Sequence, residues 1–167
     1  MISDSVVARD IKGKRREVPR SEMSFRASVY GVLIDNQRVL LVPQWDGYDI
    51  PGGGIEVGET TYSALKREMF EETGLDVAPN LSQILHVTED FFIHPTDGKY
   101  YHYLLLYYPC SLIGGTISDA GFQADEQEYA RPAEWIPVSD VDKLNFYNPV
   151  DSATIIRAAT RLTSSES

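Results

Sequence analysis

Apolar and polar residues alternate in several short runs along this chain and repeat at helical spacing in two. Residues 24–34 and 38–43 carry the alternation, enriched in Val, Leu and Ile, that suits half-buried strands. Asp35-Asn36-Gln37 between them is a turn sequence, so the pair predicts a hairpin. Residues 83–95 and 99–110 are rich in Val, Ile, Phe, Tyr and Leu and flank Thr96-Asp97-Gly98, which predicts a second, longer hairpin. A short strand is expected at 135–138. After residues 45–50, Pro51-Gly52-Gly53-Gly54 predicts neither helix nor regular strand. The helical repeats lie at 61–73 and 149–163. The first has Thr60 or Thr61 to cap its start and Gly74 for a left-handed end, with Tyr62, Leu65, Met69 and Phe70 on one side. The second opens at Pro149, and Asn148 before it suits an N-cap. Residues 164–167 are expected to fray. Strands around two helices without a βαβ repeat predict an α/β (α+β) fold with helices packed on a mixed sheet.

Composition narrows the class. The 167 residues are 43% hydrophobic and 24% charged, which suits one folded domain over 1–167, with 1–20 as a basic N-terminal extension. No apolar run approaches the roughly 18 residues of a membrane span. Cys110 is the single cysteine, and the first residues lack the basic-then-apolar pattern of a secretory signal, so a cytoplasmic location is expected. The net charge is −10; residues 1–20 hold six basic and three acidic side chains, the rest nine and twenty-two. So acidic a body repels duplex nucleic acid and anionic membrane and attracts cations. It can still take a phosphate ester if metal ions bridge the two. Lys12-Gly13-Lys14-Arg15-Arg16 reads as a solvated tail or edge strand, or as a phosphate or partner contact.

The helix at 61–73 carries one more pattern. Glu68, Glu71 and Glu72 lie within about 100° of each other on its wheel. Like charges three and four residues apart destabilise a helix by roughly 0.2–0.5 kcal/mol per pair. They also stand near the C-terminal end, where the helix dipole disfavours anions. A hard divalent cation reverses that sign, because clustered carboxylate oxygens are ligands for Mg²⁺ or Mn²⁺. The helix alone is equally a solvated acidic face, with Arg67 paired to Glu71. Glycines 52–54 directly ahead of it favour the ligand-binding reading, since backbone without side chains approaches a ligand closely.

Gly53, Glu59, Arg67-Glu68, Met69, Glu71-Glu72, Gly74 and Leu75 match every defined position of the Nudix box, a 23-residue pattern. With the hairpin ahead of it, Ile50-Pro51-Gly52-Gly53 leading in and Glu134-Trp135-Ile136 downstream, residues 24–162 resemble the Nudix hydrolase family. The resemblance implies an α/β/α sandwich with a mixed central sheet and a loop–helix–loop motif. It implies hydrolysis of a nucleoside diphosphate linked to another moiety, with Mg²⁺ or Mn²⁺. By position, Glu71 and Glu72 would be the principal metal ligands, Glu68 a ligand or the base, and the Gly53 carbonyl a further ligand. Arg67 would orient the glutamates and Glu59 support the loop. Related enzymes place one more carboxylate before the late strand; in Asp125-Glu126-Gln127-Glu128 the spacing selects Glu128. The expected partner is a nucleotide or nucleotide conjugate, with a homodimer left open.

Substrate markers are weaker. No run resembles the NADH-type or coenzyme A-type signature. Asp90 stands where ADP-sugar enzymes carry a proline, and Phe91 and Phe92 stand near the tyrosine position of dinucleoside polyphosphate enzymes. Trp45, Tyr48, Phe91 and Phe92 are candidate stacking residues, with Trp45 and Phe91 put first, although aromatics on strands are mostly core. Asn148 lies where enzymes that cleanse oxidised purine triphosphates read the base, which makes a nucleoside triphosphate pyrophosphatase one reading; the alternative is a non-catalytic nucleotide sensor, a class that usually lacks some of the carboxylates this chain keeps. His86, His94 and His102, eight apart, have no metal-ligand pattern and read as strand residues, with His94 or His102 the better placed for a site contact. Cys110 reads as a small strand residue.

Overall fold

The structure is a computed structural model that describes residues 3–118, 120–121 and 130–165. The strands are β1 (Ser5–Arg9), β2 (Arg15–Pro19), β3 (Met23–Asp35), β4 (Arg38–Gln44), β5 (Gly47–Asp49), β6 (Gly52–Gly54), β7 (Leu75–Pro79), β8 (His86–Ile93), β9 (Tyr100–Gly115) and β10 (Glu134–Pro137). The helices are α1 (Thr61–Thr73) and α2 (Ser152–Ser165). The strands form one mixed sheet in the order β10-β4-β3-β9-β8-β1-β2, with β5 on β4, β6 on β3 and β7 on β9.

The two long strands β3 and β9 make the spine, paired in parallel from Met23↔Tyr100 to Leu33↔Cys110. Side chains of a strand alternate between faces, and each face here takes one helix. Val29 and Leu33 pack with Leu65 and Met69 of α1. Val32, Leu105 and Tyr107 pack on the other side with Ile155, Ile156 and Ala159 of α2. The helix–sheet–helix sandwich and both hairpins are therefore present. Cys110 is a buried strand residue, its thiol pushed up to about 12 by burial.

Several details depart from the expectations. Gly52–Gly54 does pair as a strand, against Ser28–Tyr30. Glycine backbone still satisfies a ladder, and Gly52, at φ 151°, lies so close to the Val29 carbonyl that only a residue without Cβ fits. The residues after Gly74 continue as β7 along the end of β9. The C-terminal helix begins at Ser152, three residues later than its proline suggested, and runs to Ser165. Asp151 takes the capping role, accepting the Thr154 amide at 3.0 Å and its hydroxyl at 2.7 Å. The Asn148 amide is engaged elsewhere. Tyr62 and Phe70 do not join the core face of α1; Phe70 is 59% exposed, and Ala64 and Thr73 are buried instead. Of the readings offered for the basic N-terminal stretch, the edge strand is the one present: β1 and β2 pair as a hairpin from Ser5↔Pro19 to Arg9↔Arg15. Glu128 lies outside the described residues.

Candidate active site

The loop from β6 into α1 is fixed at both ends of the helix. Thr60 Oγ1 accepts the Ser63 amide at 3.1 Å while Ser63 Oγ accepts the Thr60 amide at 3.0 Å, a reciprocal cap. Gly74 closes the helix in the left-handed region at φ 74°. Between them Arg67 gathers the acidic residues. Its Nε and Nη2 each donate to one Glu59 carboxylate oxygen at 2.8 Å, and Nη2 also reaches the Gly54 carbonyl at 3.0 Å. Its Nη1 donates to Glu68 at 2.8 Å and to Glu71 at 3.2 Å. These bonds hold the Glu59 carboxyl below the usual carboxylate range and raise the guanidinium further. Arg67 thus ties loop to helix through both ends of its fork.

Glu68 and Glu72 are the buried members, each 8% exposed, whereas Glu71 is half-exposed. Glu72 Oε2 accepts the Gly52 amide at 2.8 Å. Glu68 lies against Gly53: a Cβ there would stand 2.6 Å from its carboxyl carbon. Among the described residues no three acidic, His or Cys side chains converge on one point as the carboxylates stand around Arg67. The donor set is nevertheless all hard oxygen, from two buried carboxylates beside glycine backbone. That set suits Mg²⁺ or Mn²⁺, which takes one or two carboxylates and completes its shell with water and substrate phosphate.

Gly53→Ala tests this contact. The new methyl meets a side-chain end, so the melting temperature should stay near wild type by circular dichroism. Glu68 must shift, and a misplacement of about 1 Å costs on the order of 10²-fold in turnover. Unchanged turnover would show that Glu68 needs no fixed position against this loop.

Close to the box, on the face that carries α2, lies a cavity of about 210 Å³. Tyr30 links the two regions: it pairs with Gly52 in the ladder, stacks on Tyr107 at 4.8 Å, and is pushed up by burial and by the neighbouring carboxylates of Asp49 and Glu72. Asp49 is buried in the cavity wall, where its Oδ1 accepts the Asn148 amide at 3.1 Å. Burial pushes the Asp49 carboxyl up to about 7, against the smaller opposing effect of the Asn148 and Tyr147 amides. Trp45, 44% exposed at the tip of the β4–β5 turn, meets Tyr147 edge to face at 5.0 Å. That turn is docked on the segment before α2 by the Tyr48 amide, which donates to the Asn145 carbonyl at 2.9 Å.

Of the three residues expected to hold substrate, the structure brings Trp45 and Asn148 together at this cavity and sends Phe91 away. Phe91 and Ile93 face the small core under the N-terminal hairpin, and alternation turns Asp90, Phe92 and His94 to the cavity. Of the two phenylalanines the sequence offered, Phe92 is the one at the cavity, beside Tyr30, Trp45, Tyr103 and Tyr147. His102 packs on Phe25 and Phe91, on the other face, and His86 is exposed. Sequence reasoning missed Asp49, Tyr30 and Arg9. It also missed Arg26, whose guanidinium lies against Gly54 next to the box.

The NUDIX domain family pattern matches residues 24–158. The chain belongs to this family. It is a Nudix hydrolase, with every defined position of the box present. The chain is 27% identical over 160 residues to an ADP-ribose pyrophosphatase of Methanocaldococcus jannaschii, covering 87% of each. It is 35% identical over 79 residues to an RNA pyrophosphohydrolase of a Psychrobacter species, where the match spans 46% of this chain and 44% of that one. Its fold superposes on the crystal structure of an ADP-ribose pyrophosphatase from Streptococcus suis with a TM-score of 0.62 at 18% identity, covering 85% of this chain and 94% of that one. Among the described residues no helix is long and apolar enough to cross a membrane.

Proposed function

We propose that this Nudix hydrolase cleaves the pyrophosphate bond of a nucleoside diphosphate linked to a further moiety, with Mg²⁺ or Mn²⁺. The observation that carries the reading is the adjacency of two chemically distinct sites. Buried Glu68 and Glu72 stand at the Gly52–Gly53 backbone, and an aromatic cavity lined also by the carboxyls of Asp49 and Asp90 and the carboxamides of Gln44 and Asn148 opens beside them. At about 210 Å³ it is smaller than the roughly 300–1,000 Å³ that encloses a drug-sized ligand, so it suits one ring system of a substrate whose phosphates lie at the box. The names of the relatives, ADP-ribose pyrophosphatase and RNA pyrophosphohydrolase, agree with anhydride chemistry on nucleotides.

Glu71 and Glu72 with the Gly53 carbonyl would hold the cation, which when bound shields the diphosphate charge and polarises water. The chain's own residues do the rest. Arg67 and Glu59 fix the loop against the helix, so that the ligands keep their places as charge develops. Glu68, on the loop side of the cluster, accepts the proton of the attacking water. Water adds across the P–O–P bridge, and two phosphate esters and a proton leave. Arg26, beside Gly54, supplies positive charge to the phosphates. Trp45 and Phe92 flank the base, and Asp49 and Asn148 offer it hydrogen-bonding partners.

A panel of nucleoside triphosphates, nucleotide sugars, dinucleotides and coenzyme A decides the substrate, assayed with each metal and after chelation. Release of a nucleoside monophosphate that stops on chelation is the expected result. Hydrolysis that survives exhaustive chelation would overturn the metal assignment, and turnover of none of the panel would overturn the reaction.

A further inference from the structure

The family pattern begins at residue 24, yet Arg9 and Ile11 at the cavity come from the hairpin ahead of it. β1 joins the sheet beside β8 through a single pair, Arg9↔Phe92. Ala8 and Val18 pack with Ile93 and Phe91 on the far side, which leaves Arg9 on the cavity face. The turn that follows is closed by Asp10, whose carboxylate accepts the amides of Lys12 and Lys14 at 2.9 Å each.

The Arg9 guanidinium is immobilised. Its Nε donates to Asp90 Oδ1 at 3.1 Å and its Nη2 to Oδ2 at 2.7 Å, a two-point fork. Its central carbon lies 4.9 Å from the centroid of the Phe92 ring. The fork offsets the positive charge and fixes the plane, so what the cavity meets is a flat, weakly hydrated surface backed by a ring. In strand order this wall stands at β1 and β8, whereas Trp45 stands at the end of β4, with β3 and β9 as the floor between. A ring held by Asp49 and Asn148, at β5 and the segment before α2, must extend across that floor to reach Arg9. A two-ring base spans farther than a single ring.

We propose that the β1–β2 hairpin is a base-selectivity element: the Asp90-clamped Arg9 guanidinium is the platform on which a purine ring stacks, and Ile11 closes that end of the cavity. This rests on the reading that the cavity takes the nucleoside end of the substrate.

The test measures binding of AMP, GMP, CMP and UMP without metal, by calorimetry and by the intrinsic fluorescence of the two tryptophans, of which Trp45 lines the cavity. The wild type should bind at least one purine nucleotide more tightly than either pyrimidine nucleotide. Arg9→Ala should weaken purine binding roughly tenfold, the scale of one base-stacking contact, and leave the pyrimidine nucleotides within about twofold. Arg9→Lys should behave like Arg9→Ala, since it keeps the charge and loses the plane. Arg16→Ala, which removes a guanidinium packed on Tyr100 away from the cavity, should change none of the four. Rescue by Arg9→Lys, with inorganic phosphate competing for the site, would make Arg9 a phosphate contact and overturn the proposal. A uniform loss for all four with a lowered melting temperature would reduce it to a strut, and unchanged affinities in Arg9→Ala would also overturn it. If the wild type hydrolyses nucleotides yet binds none of the four, the hydrolase reading stands and this one falls.

Discussion

Glu72→Gln is expected to lower kcat on the order of 10³-fold while the protein stays folded. A metal-supported charge contact contributes several kcal/mol to the transition state, and each 1.36 kcal/mol is tenfold in rate. The substitution removes a charge and keeps the shape. Glu72 Oε2 accepts the Gly52 amide at 2.8 Å, and a glutamine oxygen still accepts it, though without the charge assistance, so the Gly52–Gly54 strand keeps its anchor. It also relieves the like-charge pair with Glu68, one turn away, by roughly 0.2–0.5 kcal/mol. The metal-free melting temperature should therefore equal or exceed that of the wild type. Glu72→Ala differs: it strands the Gly52 amide and should cost about 1–3 kcal/mol of stability as well. Steady-state rates and thermal melts on both variants separate ligand from anchor. A Glu72→Gln rate within about tenfold of wild type would remove Glu72 from the principal ligands. The milder loss should come from Glu71→Gln, because Glu71 is the most exposed of the three and is shared with Arg67 at 3.2 Å.

The division between Glu71 and Glu72 shows what the sequence carries and what it does not. Spacing of three and four residues put the glutamates on one helix face, and Thr60 and Gly74 marked the ends of that helix from local chemistry alone. Burial depends on what lies opposite, and the partner of Glu72 is the Gly52 amide, brought there by β6 pairing with β3. Three glycines carry no alternation, so that pairing had no signature. Phe91 and Phe92 illustrate the same limit at a strand. Adjacent residues face opposite sides, and the side that holds the cavity is set by register with β9 and by the hairpin core of Ala8 and Val18. Asp49 was illegible for a related reason. One acidic residue in a turn-rich stretch reads as surface, and its burial comes from the segment before α2 folding back on it, 99 residues away in sequence.

Asp49 carries the second large expected effect, on stability. Its carboxyl is pushed from about 3.8 to about 7 in the folded protein, chiefly by burial, in surroundings that include Arg9, Tyr30 and Tyr107. A folded-state pKa above the unfolded one means that the native state binds the extra proton between those two values. Stability therefore falls as pH rises from about 4 through 7, and levels off above. About three units correspond to at most about 4 kcal/mol. Asp49→Asn is uncharged at every pH and retains an oxygen for the Asn148 amide. It should melt on the order of 10 °C above the wild type at pH 8, converging with it near pH 4. Equal melting curves at pH 8 would show that the carboxylate is solvated where the structure buries it. The same variant should bind nucleotide more weakly at pH 8, since the base loses a charged acceptor. A destabilising carboxyl at the wall of the cavity, removable at a gain in stability and a loss in binding, is what a residue kept for recognition looks like.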